Sequence, residues 1–439
     1  MDVRTTSKII LSKWLEHTIY SSEEAEECFF SMLSVLSSIV NPLEQTFLLI
    51  LNLLKKPESN TQPQNMMMKL RYLLGFLCIA CSSSTDDVTV AAENDPIDTS
   101  ETSDDSDTSG DRIYFPPLDA STWETVSPTD LNWDTAAIAD LETYLNLTNT
   151  KAFIILKDGK IALESYFQTT DATTNHPWFS AGKTLTAYTI GIAQQEGFLS
   201  IEDASSEYLG TEWTAMTSAQ ESAIQIQNQL SMTSGGDFTR LDLYCTDPDC
   251  LAFRSPAGDE WFYYNAFYTL LQDVVSTATN QEYNDYFNAK IRNPIGMDGA
   301  WVPLGYNRFY FSTARSMARF GLLNLNQGVW ESQEILNPTF FDAMTGSSQD
   351  LNPAYGYLWW LNGKDSYRLP GATESFSGLL IPNAPDDLIA GLGANDKKLY
   401  VVPSQGLVVI RLGDAAETDL LGPSGYDNAL WEKIMALIN

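Results

Sequence analysis

The sequence predicts an α+β protein in which helices flank an antiparallel β-sheet and a mostly helical lobe completes the fold. Three features indicate it: an early pair of strands, a long stretch of helix and loop from 200 to 340, and a late group of strand-like runs before a last helix. Apolar residues make up 44% of the 439 residues, which is enough for a large core. Strands in two groups, separated by helices, are typical of the α+β class.

The elements of this fold follow one another after Trp133. Apolar residues at 137, 138, 141 and 145 have helical spacing and predict a first helix. Strands at 152–156 and 161–167 flank Asp158-Gly159, a dipeptide that favours a tight hairpin turn. A second helix is expected from about Ser180 to Gly197. Later strands are expected at 356–361, 388–392, 398–402 and 407–412, with a final helix at 429–438.

The first part of the chain does not resemble the rest. Residues 1–65 combine a charged amphipathic start with two apolar runs. Each run is shorter than the roughly 18–20 residues that cross a membrane. We interpret this segment as the product of a misplaced start site, with translation beginning at Met66, Met67 or Met68. The alternative is a genuine N-terminal extension associated with a membrane.

Residues 66–80 have the pattern of a bacterial lipoprotein signal peptide. Two basic residues precede a nine-residue apolar stretch, and a small residue precedes Cys81, although position 78 is Cys where Leu, Val or Ile is usual. We therefore expect Cys81 to be the acylated mature N-terminus. The protein is then expected in a bacterial envelope, anchored to the outer membrane through that lipid alone and facing the periplasm or the surface.

The composition of residues 81–112 predicts a disordered tether. Between Ser82 and Asp111 there are ten acidic residues and no basic or aromatic one. A segment of this composition cannot bury enough apolar surface to fold. The composition changes at Ile113, and we expect the folded domain to span residues 113–439.

Charge and histidine content exclude several classes of function. The net charge of −32 argues against a nucleic-acid partner, because phosphate binding needs a basic surface. Only His17 and His176 are present, which excludes most zinc sites built on histidine. No serine lies in a Gly-x-Ser-x-Gly motif, so the sequence does not favour a Ser-His-Asp triad.

Ser180 and Lys183 lie at the start of the predicted second helix. Side chains three residues apart on a helix share one face, with Cβ atoms about 5–6 Å apart. Free backbone N–H groups also surround a serine at a helix start. A nucleophilic hydroxyl needs such an amine to take its proton and such donors for the oxyanion. The alternative is a plain N-cap, but the preceding residues 177–179 are too apolar for an exposed cap.

Segments 178–183, 191–203 and 232–236 together resemble the serine β-lactamase and penicillin-binding-protein superfamily. The closest resemblance is to its class C-like branch, which includes D-Ala-D-Ala carboxypeptidases, esterases and 6-aminohexanoate-dimer hydrolases. It extends from about Trp123 to Ile438. The resemblance implies a β-lactamase/transpeptidase-like fold, acyl-enzyme chemistry and a small amide or ester substrate, with no metal or cofactor.

The second motif of that superfamily is Tyr-x-Asn, which the chain has at Tyr263 and Asn265. Segments 144–146 and 426–428 have the same spacing, but only Tyr263 lies in the helical lobe, about 80 residues after Ser180. The resemblance implies that Tyr263 relays a proton and that Asn265 orients the substrate amide. We expect the ammonium of Lys183 to depress the pKa of Tyr263. The alternative is a core aromatic residue.

The third motif of the superfamily is a Lys- or His-led triplet ending in Gly, on a strand beside the serine. The matching region contains Gly393, Ala394 and Asn395, and the chain has no Lys-Thr-Gly. The resemblance implies that backbone N–H groups here complete the oxyanion hole with that of Ser180. Either a nearby lysine takes the cationic role or the role is unfilled, which leaves recognition of a β-lactam carboxylate open.

Cys245 and Cys250 close a small loop ahead of Tyr263. In an exported protein this pair predicts a disulfide, the alternative being two free thiols. Without neighbouring histidines the pair does not indicate a zinc site.

These features together predict an exported serine hydrolase that cleaves an amide or ester through an acyl-enzyme on Ser180. The first alternative is a β-lactamase or D-Ala-D-Ala carboxypeptidase. The alternative from another class is an envelope lipoprotein that keeps the fold and binds a ligand or traps an acyl group without turnover.

Overall fold

The computed structural model describes residues 113–119, 122–240, 242–416 and 423–439. The predictions for residues 1–65, for the signal peptide, for Cys81 and for the acidic tether therefore lie outside the described residues. Within them, no helix combines the length and the apolar character that crossing a membrane requires.

The strands of the described part belong to one large sheet and three small ones. In chain order they are β1 (Thr150–Lys157), β2 (Lys160–Tyr166), β3 (His176–Pro177), β4 (Ala300–Leu304), β5 (Asn307–Ser312), β6 (Val329–Trp330), β7 (Gln333–Glu334), β8 (Trp360–Leu361), β9 (Ser366–Tyr367), β10 (Phe376–Ser377), β11 (Ile389–Gly393), β12 (Lys397–Val402) and β13 (Leu407–Gly413). The large sheet has the order β2-β1-β13-β12-β11-β8, and its neighbouring strands pair antiparallel.

The α-helices fall into a group around the large sheet and a group in the lobe. In chain order they are α1 (Ile138–Leu147), α2 (Lys183–Gln195), α3 (Ser206–Leu209), α4 (Ser218–Glu221), α5 (Ile226–Leu230), α6 (Asn265–Thr279), α7 (Tyr283–Phe287), α8 (Ala314–Leu325), α9 (Pro338–Thr345) and α10 (Gly425–Ile438). This mixture of helices with an antiparallel sheet confirms the predicted α+β class.

Helices cover both faces of the large sheet. Alternate residues of a strand point to opposite faces. On one face, Gly321 of α8 approaches Leu399 and Val408 so closely that an added Cβ would lie 2.4 Å from Val408 Cγ1. On the other face, Tyr400 packs against Trp431 of α10, with ring centroids 5.5 Å apart. The sheet is therefore a buried middle layer.

The predicted hairpin is present and its turn explains its register. Asp158 and Gly159 have φ of 48° and 86°, the left-handed values that a two-residue turn of this type needs. The turn sets β2 antiparallel to β1, and β1 then pairs with β13.

Three details of the predicted elements were wrong. The strand expected at 356–361 is reduced to β8, because Leu358 has a φ of 62°, which an extended strand does not allow. The helix expected near Ser180 begins only at Lys183, after a 3-10 turn at Phe179–Gly182. The last helix begins four residues earlier than expected, at Gly425, where Ser424 and Asp427 form a capping box.

Helix α2 is the central helix of the molecule. Its residues from Lys183 to Ala193 are all buried, including the lysine and three threonines. At Gly191 an added Cβ would lie 2.4 Å from the ring of Phe340 in α9, so glycine permits this close packing. A helix buried on every side holds its first residue, Lys183, in a fixed place.

Candidate active site

Ser180 lies in the 3-10 turn that leads into α2. The residue before it, Phe179, has a φ of 48°, a left-handed value that non-glycine residues rarely adopt. The backbone of Trp178 is fixed by a hydrogen bond from its N–H to the carbonyl of Tyr310, at 2.8 Å, and its indole N–H donates to Ser312 Oγ, also at 2.8 Å. Backbone conformations of this kind concentrate at functional sites and persist only where the surroundings enforce them.

Lys183 is placed to accept a proton from Ser180. Its Nζ donates to Ser180 Oγ at 2.9 Å and to Asn265 Oδ1 at 2.8 Å. The same nitrogen lies 4.9 Å from the ring centroid of Tyr263 and 4.3 Å from that of Tyr268. Burial lowers the pKa of Lys183 to about 7, because the side chain is only 2% exposed. A substantial fraction of the amine is therefore neutral at neutral pH.

Tyr263 shares a hydrogen bond with the side chain of Ser180. Its ring stacks on Trp360 with centroids 6.0 Å apart, and the residue is 3% exposed. The expectation of a depressed pKa was wrong: burial raises the pKa of Tyr263 above its usual value, and the bond to Ser180 offsets only part of that. The phenol is therefore neutral, and it can donate a proton.

Asn265 is the first residue of α6 and is buried. The sequence analysis predicted that Asn265 orients the substrate amide. In the structure, the side-chain oxygen of Asn265 accepts the hydrogen bond from Lys183. Next to it, the N–H of Ala266 donates to the carbonyl of Leu243 at 3.0 Å. Asn265 thus holds the lysine in reach of Ser180, and its side-chain amide nitrogen is the atom left to meet a substrate.

Strand β11 brings the third motif against the nucleophile. A Cβ added at Gly393 would lie 2.4 Å from the carbonyl oxygen of Trp178 and 3.2 Å from the backbone nitrogen of Ser180. Only glycine allows this approach. Ala394 and Asn395 follow in the turn to β12, where Asn395 has a φ of 57°. The strand end and Ser180 N are therefore neighbours, as two oxyanion donors must be.

The two lysines of β12 bond to protein groups, although Lys397 Nζ also lies 5.5 Å from the ring centroid of Phe179, the residue before Ser180. Lys397 Nζ donates to the carbonyl of Gly413, and burial lowers its pKa to about 7. Lys398 Nζ bonds Asp427 at 2.8 Å and Asp396 at 3.2 Å. Both lysine nitrogens are therefore bonded to protein groups in this arrangement.

His176 lies four residues before Ser180 but outside this set of contacts. It is 5% exposed, and its Nε2 has no hydrogen-bond partner among the described residues. Burial and the charge of Lys397 lower its pKa to about 4. The hydrogen bonds of the Ser180 side chain go instead to Lys183 and Tyr263.

The disulfide between Cys245 and Cys250 is present, with Cα atoms 5.9 Å apart. Its loop is held at the neighbouring hairpin by a hydrogen bond from the hydroxyl of Tyr306 to Asp247, at 2.6 Å. The preceding residue, Tyr244, lies close enough to Tyr263 to contribute to its raised pKa. The disulfide loop therefore borders the site.

Sequence reasoning did not identify Tyr244 or Tyr268. Tyr268 lies three residues after Asn265 on α6 and hence on the same face, but no helix was predicted at this position. Tyr244 carried no such signal, since only the folded loop brings it to Tyr263. Among the described residues, no group of three or more His, Cys, Asp or Glu side chains is arranged to hold a metal ion.

Comparison with known protein families shows to which family the chain belongs. The β-lactamase family model matches residues 148–413, which is more than half of the chain. The chain belongs to the β-lactamase family. This family match agrees with the resemblance to the serine β-lactamases and penicillin-binding proteins, and it makes the chain a member of a serine hydrolase family.

Several solved structures share this fold. A candidate 6-aminohexanoate-dimer hydrolase from Bacillus anthracis is 17% identical, with a TM-score of 0.55 over 74% of this chain and 88% of that one. A candidate β-lactamase from Bacteroides dorei DSM 17855 has the same identity and TM-score, over 70% and 99%. A penicillin-binding protein homologue from Caulobacter crescentus is 14% identical, with a TM-score of 0.52 over 69% and 96%. Comparison with curated proteins gave no significant match.

Proposed function

We propose that this protein is a serine hydrolase that cleaves an amide or ester bond through a covalent acyl-enzyme on Ser180. The observation that carries the proposal is the hydrogen bond of 2.9 Å between Ser180 Oγ and Lys183 Nζ, an amine whose pKa burial lowers to about 7. An unprotonated amine in contact with the hydroxyl can take its proton as Oγ attacks a carbonyl carbon. The serine then carries the acyl group.

The proton steps follow from the protonation states of the two partners. Lys183 accepts the proton of Ser180 as the Oγ–C bond forms, and the N–H groups of Ser180 and the end of β11 hold the oxyanion. Tyr263, a neutral phenol, donates its proton to the departing amine or alkoxide. In deacylation the Tyr263 phenolate takes a proton from the attacking water, and the Lys183 ammonium returns its proton to Ser180 Oγ as the acyl–oxygen bond breaks. The acid is released, and Ser180, Lys183 and Tyr263 regain their starting protonation states.

The substrate class we favour is a neutral acyl compound without a carboxylate beside the scissile bond. The chain lacks the Lys-Thr-Gly motif. The lysines nearest to that position, Lys397 and Lys398, are engaged with a carbonyl and with two carboxylates. Esters and linear amides need no cation at this place, whereas penicillins and D-Ala-D-Ala peptides present a carboxylate to it.

A β-lactamase or D-Ala-D-Ala carboxypeptidase activity remains the second candidate, and the match of residues 148–413 to the β-lactamase family favours it. The two candidate functions are distinguished by which substrates the protein turns over. We would assay p-nitrophenyl esters, linear ω-amino-acid amides, penicillins and a D-Ala-D-Ala peptide with the same preparation. Turnover of the first two classes alone supports our proposal; turnover of penicillin or the D-Ala peptide alone replaces it with the second candidate.

A fluorophosphonate probe separates an enzyme from a protein that only traps acyl groups. Labelling of Ser180 together with multiple turnovers of a short ester supports hydrolysis. Stoichiometric labelling without turnover of any substrate in the panel indicates a sensor or acyl trap. Ser180→Ala is the control for both readouts and should neither label nor turn over.

We further propose that the protein is exported and anchored to the outer membrane through acylated Cys81. The lipoprotein-like pattern at 66–80 and the acidic tether at 81–112 support this location. An acylated lipoprotein cysteine carries the two lipid signals that stable anchoring needs. Cys81→Ser should move the protein to the soluble fraction and leave its specific activity unchanged; continued membrane association of this variant would overturn the proposal.

A further inference from the structure

Arg411 of β13 is a completely buried arginine whose guanidinium is fully paired. A guanidinium carries five N–H donors in one plane. Here they meet five acceptors, and all five are uncharged oxygens of the protein. The acceptors are Thr150 Oγ1 at 3.1 Å and the carbonyl oxygens of Thr148 at 2.6 Å, Asp414 at 2.9 Å, Asn395 at 3.0 Å and Asp396 at 3.0 Å.

Two neighbours restrict the place of this guanidinium. The ring centroid of Tyr426, in α10, lies 5.1 Å from Arg411 Cζ. At Gly413 an added Cβ would lie 2.8 Å from both the Cζ and the Nη2 of the arginine. A side chain at position 413 would therefore displace the guanidinium. Arg411 is thus confined to the position in which its five donors are satisfied.

Two of the five acceptors belong to the turn between β11 and β12. Asn395 and Asp396 both have a left-handed backbone, with φ of 57° and 54°. Such values are uncommon for residues with a side chain, and a turn with two of them depends on contacts that hold it. The Nη1 of Arg411 donates to the carbonyls of both residues. The Asp396 carboxylate adds an attachment, since it accepts from Ala416 N and Ser424 Oγ at 2.9 Å each.

This turn follows directly on the end of β11 that lies beside Ser180. Among the described residues, β8 pairs with β11 only at Ile389 and Ala390. On its other side β11 pairs with β12 as far as Gly393 and Lys397, the residues that flank the turn. The end of β11 is therefore held from one side only, through β12 and through the turn that Arg411 binds.

We propose that Arg411 is a positioning residue for acyl transfer: by binding the turn between β11 and β12, it places the N–H at the end of β11 that shares the oxyanion with Ser180 N. This inference rests on the proposed function, because an oxyanion forms only if Ser180 attacks a carbonyl. Arg411 acts through the turn and not on the substrate. Preorganised donors stabilise the oxyanion only from the right place, and a displacement of about 1 Å costs about 10²-fold in rate.

Arg319 of α8 is the matched control. It is also a buried arginine, 1% exposed. It also binds main-chain carbonyls, those of Pro116, Pro117 and Ile295, at 3.4, 2.5 and 3.0 Å. These carbonyls belong to the start of the described part and to the segment before β4. Both arginines therefore connect separate segments of the fold, but of the two only Arg411 bonds to the turn beside the oxyanion.

The test compares Arg411→Lys with Arg319→Lys in the full-length protein, well below both unfolding midpoints. Lysine keeps the charge and loses the planar fork of donors, so each variant should unfold several degrees below the parent. Only Arg411→Lys should lower kcat for p-nitrophenyl acetate, by about 10²-fold, with KM changed less than about twofold, because acylation and deacylation both pass through the oxyanion. Hydrogen exchange read by mass spectrometry should be faster in segment 393–397 of Arg411→Lys alone.

Equal losses of kcat in the two lysine variants, or a parent-like kcat in Arg411→Lys, would overturn the proposal. If Arg411→Lys does not fold, Thr150→Val decides. It keeps the shape of the side chain, removes one acceptor of Arg411 and should lower kcat about threefold; an unchanged kcat overturns the proposal. A parent protein that forms no acetyl group on Ser180 overturns the proposed function as well, whereas an acetylated parent beside an unaffected Arg411→Lys overturns this inference alone.

Discussion

Lys183 determines the chemistry at the scale of single residues. It is a lysine 2% exposed to solvent, with a serine hydroxyl and an amide oxygen as its hydrogen-bond acceptors and two phenol rings beside it. No carboxylate is bonded to its ammonium in this set of contacts. Burial therefore dominates, and it lowers the pKa to about 7. These surroundings support the role of base that we propose for it.

The first prediction is that activity and stability both increase with pH through the titration of Lys183. The base must be neutral, so kcat/KM should rise with pH and level off above about 7. The folded pKa lies below the usual 10.5, so the unfolded chain binds more protons between these values and stability rises with pH there. Lys183→Met should stabilise the protein by on the order of 2–4 kcal/mol at pH 7 and by nothing near pH 11. Urea unfolding at several pH values measures this.

The second prediction concerns the proton path. Tyr263→Phe should lower kcat about 10²–10⁴-fold, the usual range for a positioned acid or base. Adding Lys183→Ala to it should be little worse than Lys183→Ala alone, because members of one relay are not additive. His176→Ala is the matched control and should keep most of the activity. A dead His176→Ala beside a near-normal Tyr263→Phe would require a histidine base.

At the scale of elements, the end of β11 and the turn at Ser180 depend on each other. Gly393 has no side chain, and this lets the strand lie against the carbonyl of Trp178 and the nitrogen of Ser180. The Asn395-containing turn then returns the chain to β12. Gly393 thus allows the end of this strand to lie beside Ser180 N, and these are the two places from which we propose that the oxyanion is bound.

The third prediction is that Gly393→Ala reduces kcat by about 10²-fold or more with little change in KM, because the added Cβ must displace the strand from the oxyanion position. Gly425→Ala is the control: this glycine begins α10, and an added Cβ there meets no atom within 4 Å. Steady-state kinetics of the two variants measure the difference. Equal activities would show that β11 contributes no donor.

The fourth prediction concerns the disulfide loop. Replacing Cys245 and Cys250 together by serine should lower the free energy of unfolding by about 2 kcal/mol, as a loop of this length implies. It should also raise KM while kcat holds, because Tyr244 borders the site but does not carry protons. A reducing agent should affect the parent protein and not this variant. Two alkylatable thiols in the unreduced parent protein would contradict the pairing.

At the scale of the whole molecule, local patterns in the sequence predicted the order of elements and the position of Ser180 and Lys183. The turn at Asp158-Gly159 and the Ser-x-x-Lys spacing depend on neighbours in the chain. The hairpin of β4 and β5 is local too, with Gly305 and Tyr306 as its turn, and was missed because residues 200–340 were expected to be mostly helix and loop. The left-handed Leu358 and the approach of Tyr244 to Tyr263 depend on contacts between distant segments. The wrong expectation for Tyr263 has the same origin, since burial is a property of the folded chain.

At the scale of the whole molecule, the candidate site lies where helix α2, the helical lobe and the large sheet meet. The buried helix α2 supplies Lys183, the lobe supplies Tyr263 and Asn265, and the sheet supplies Gly393. None of these elements forms the site by itself. Because three elements supply the candidate site, the reactivity of Ser180 should require the complete fold. Acylation of Ser180 therefore reports whether the site has formed.

The formation of an acyl-enzyme on Ser180 is therefore the most direct measurement. The protein is mixed rapidly with p-nitrophenyl acetate, quenched within the first turnover and digested, and the acetylated peptide is identified by mass spectrometry. We predict one acetyl group per chain, located on Ser180, appearing with a burst of p-nitrophenol, and absent from Ser180→Ala and from Lys183→Ala. Turnover of the ester with no acetyl group on Ser180, or with the group on another residue, would contradict the account.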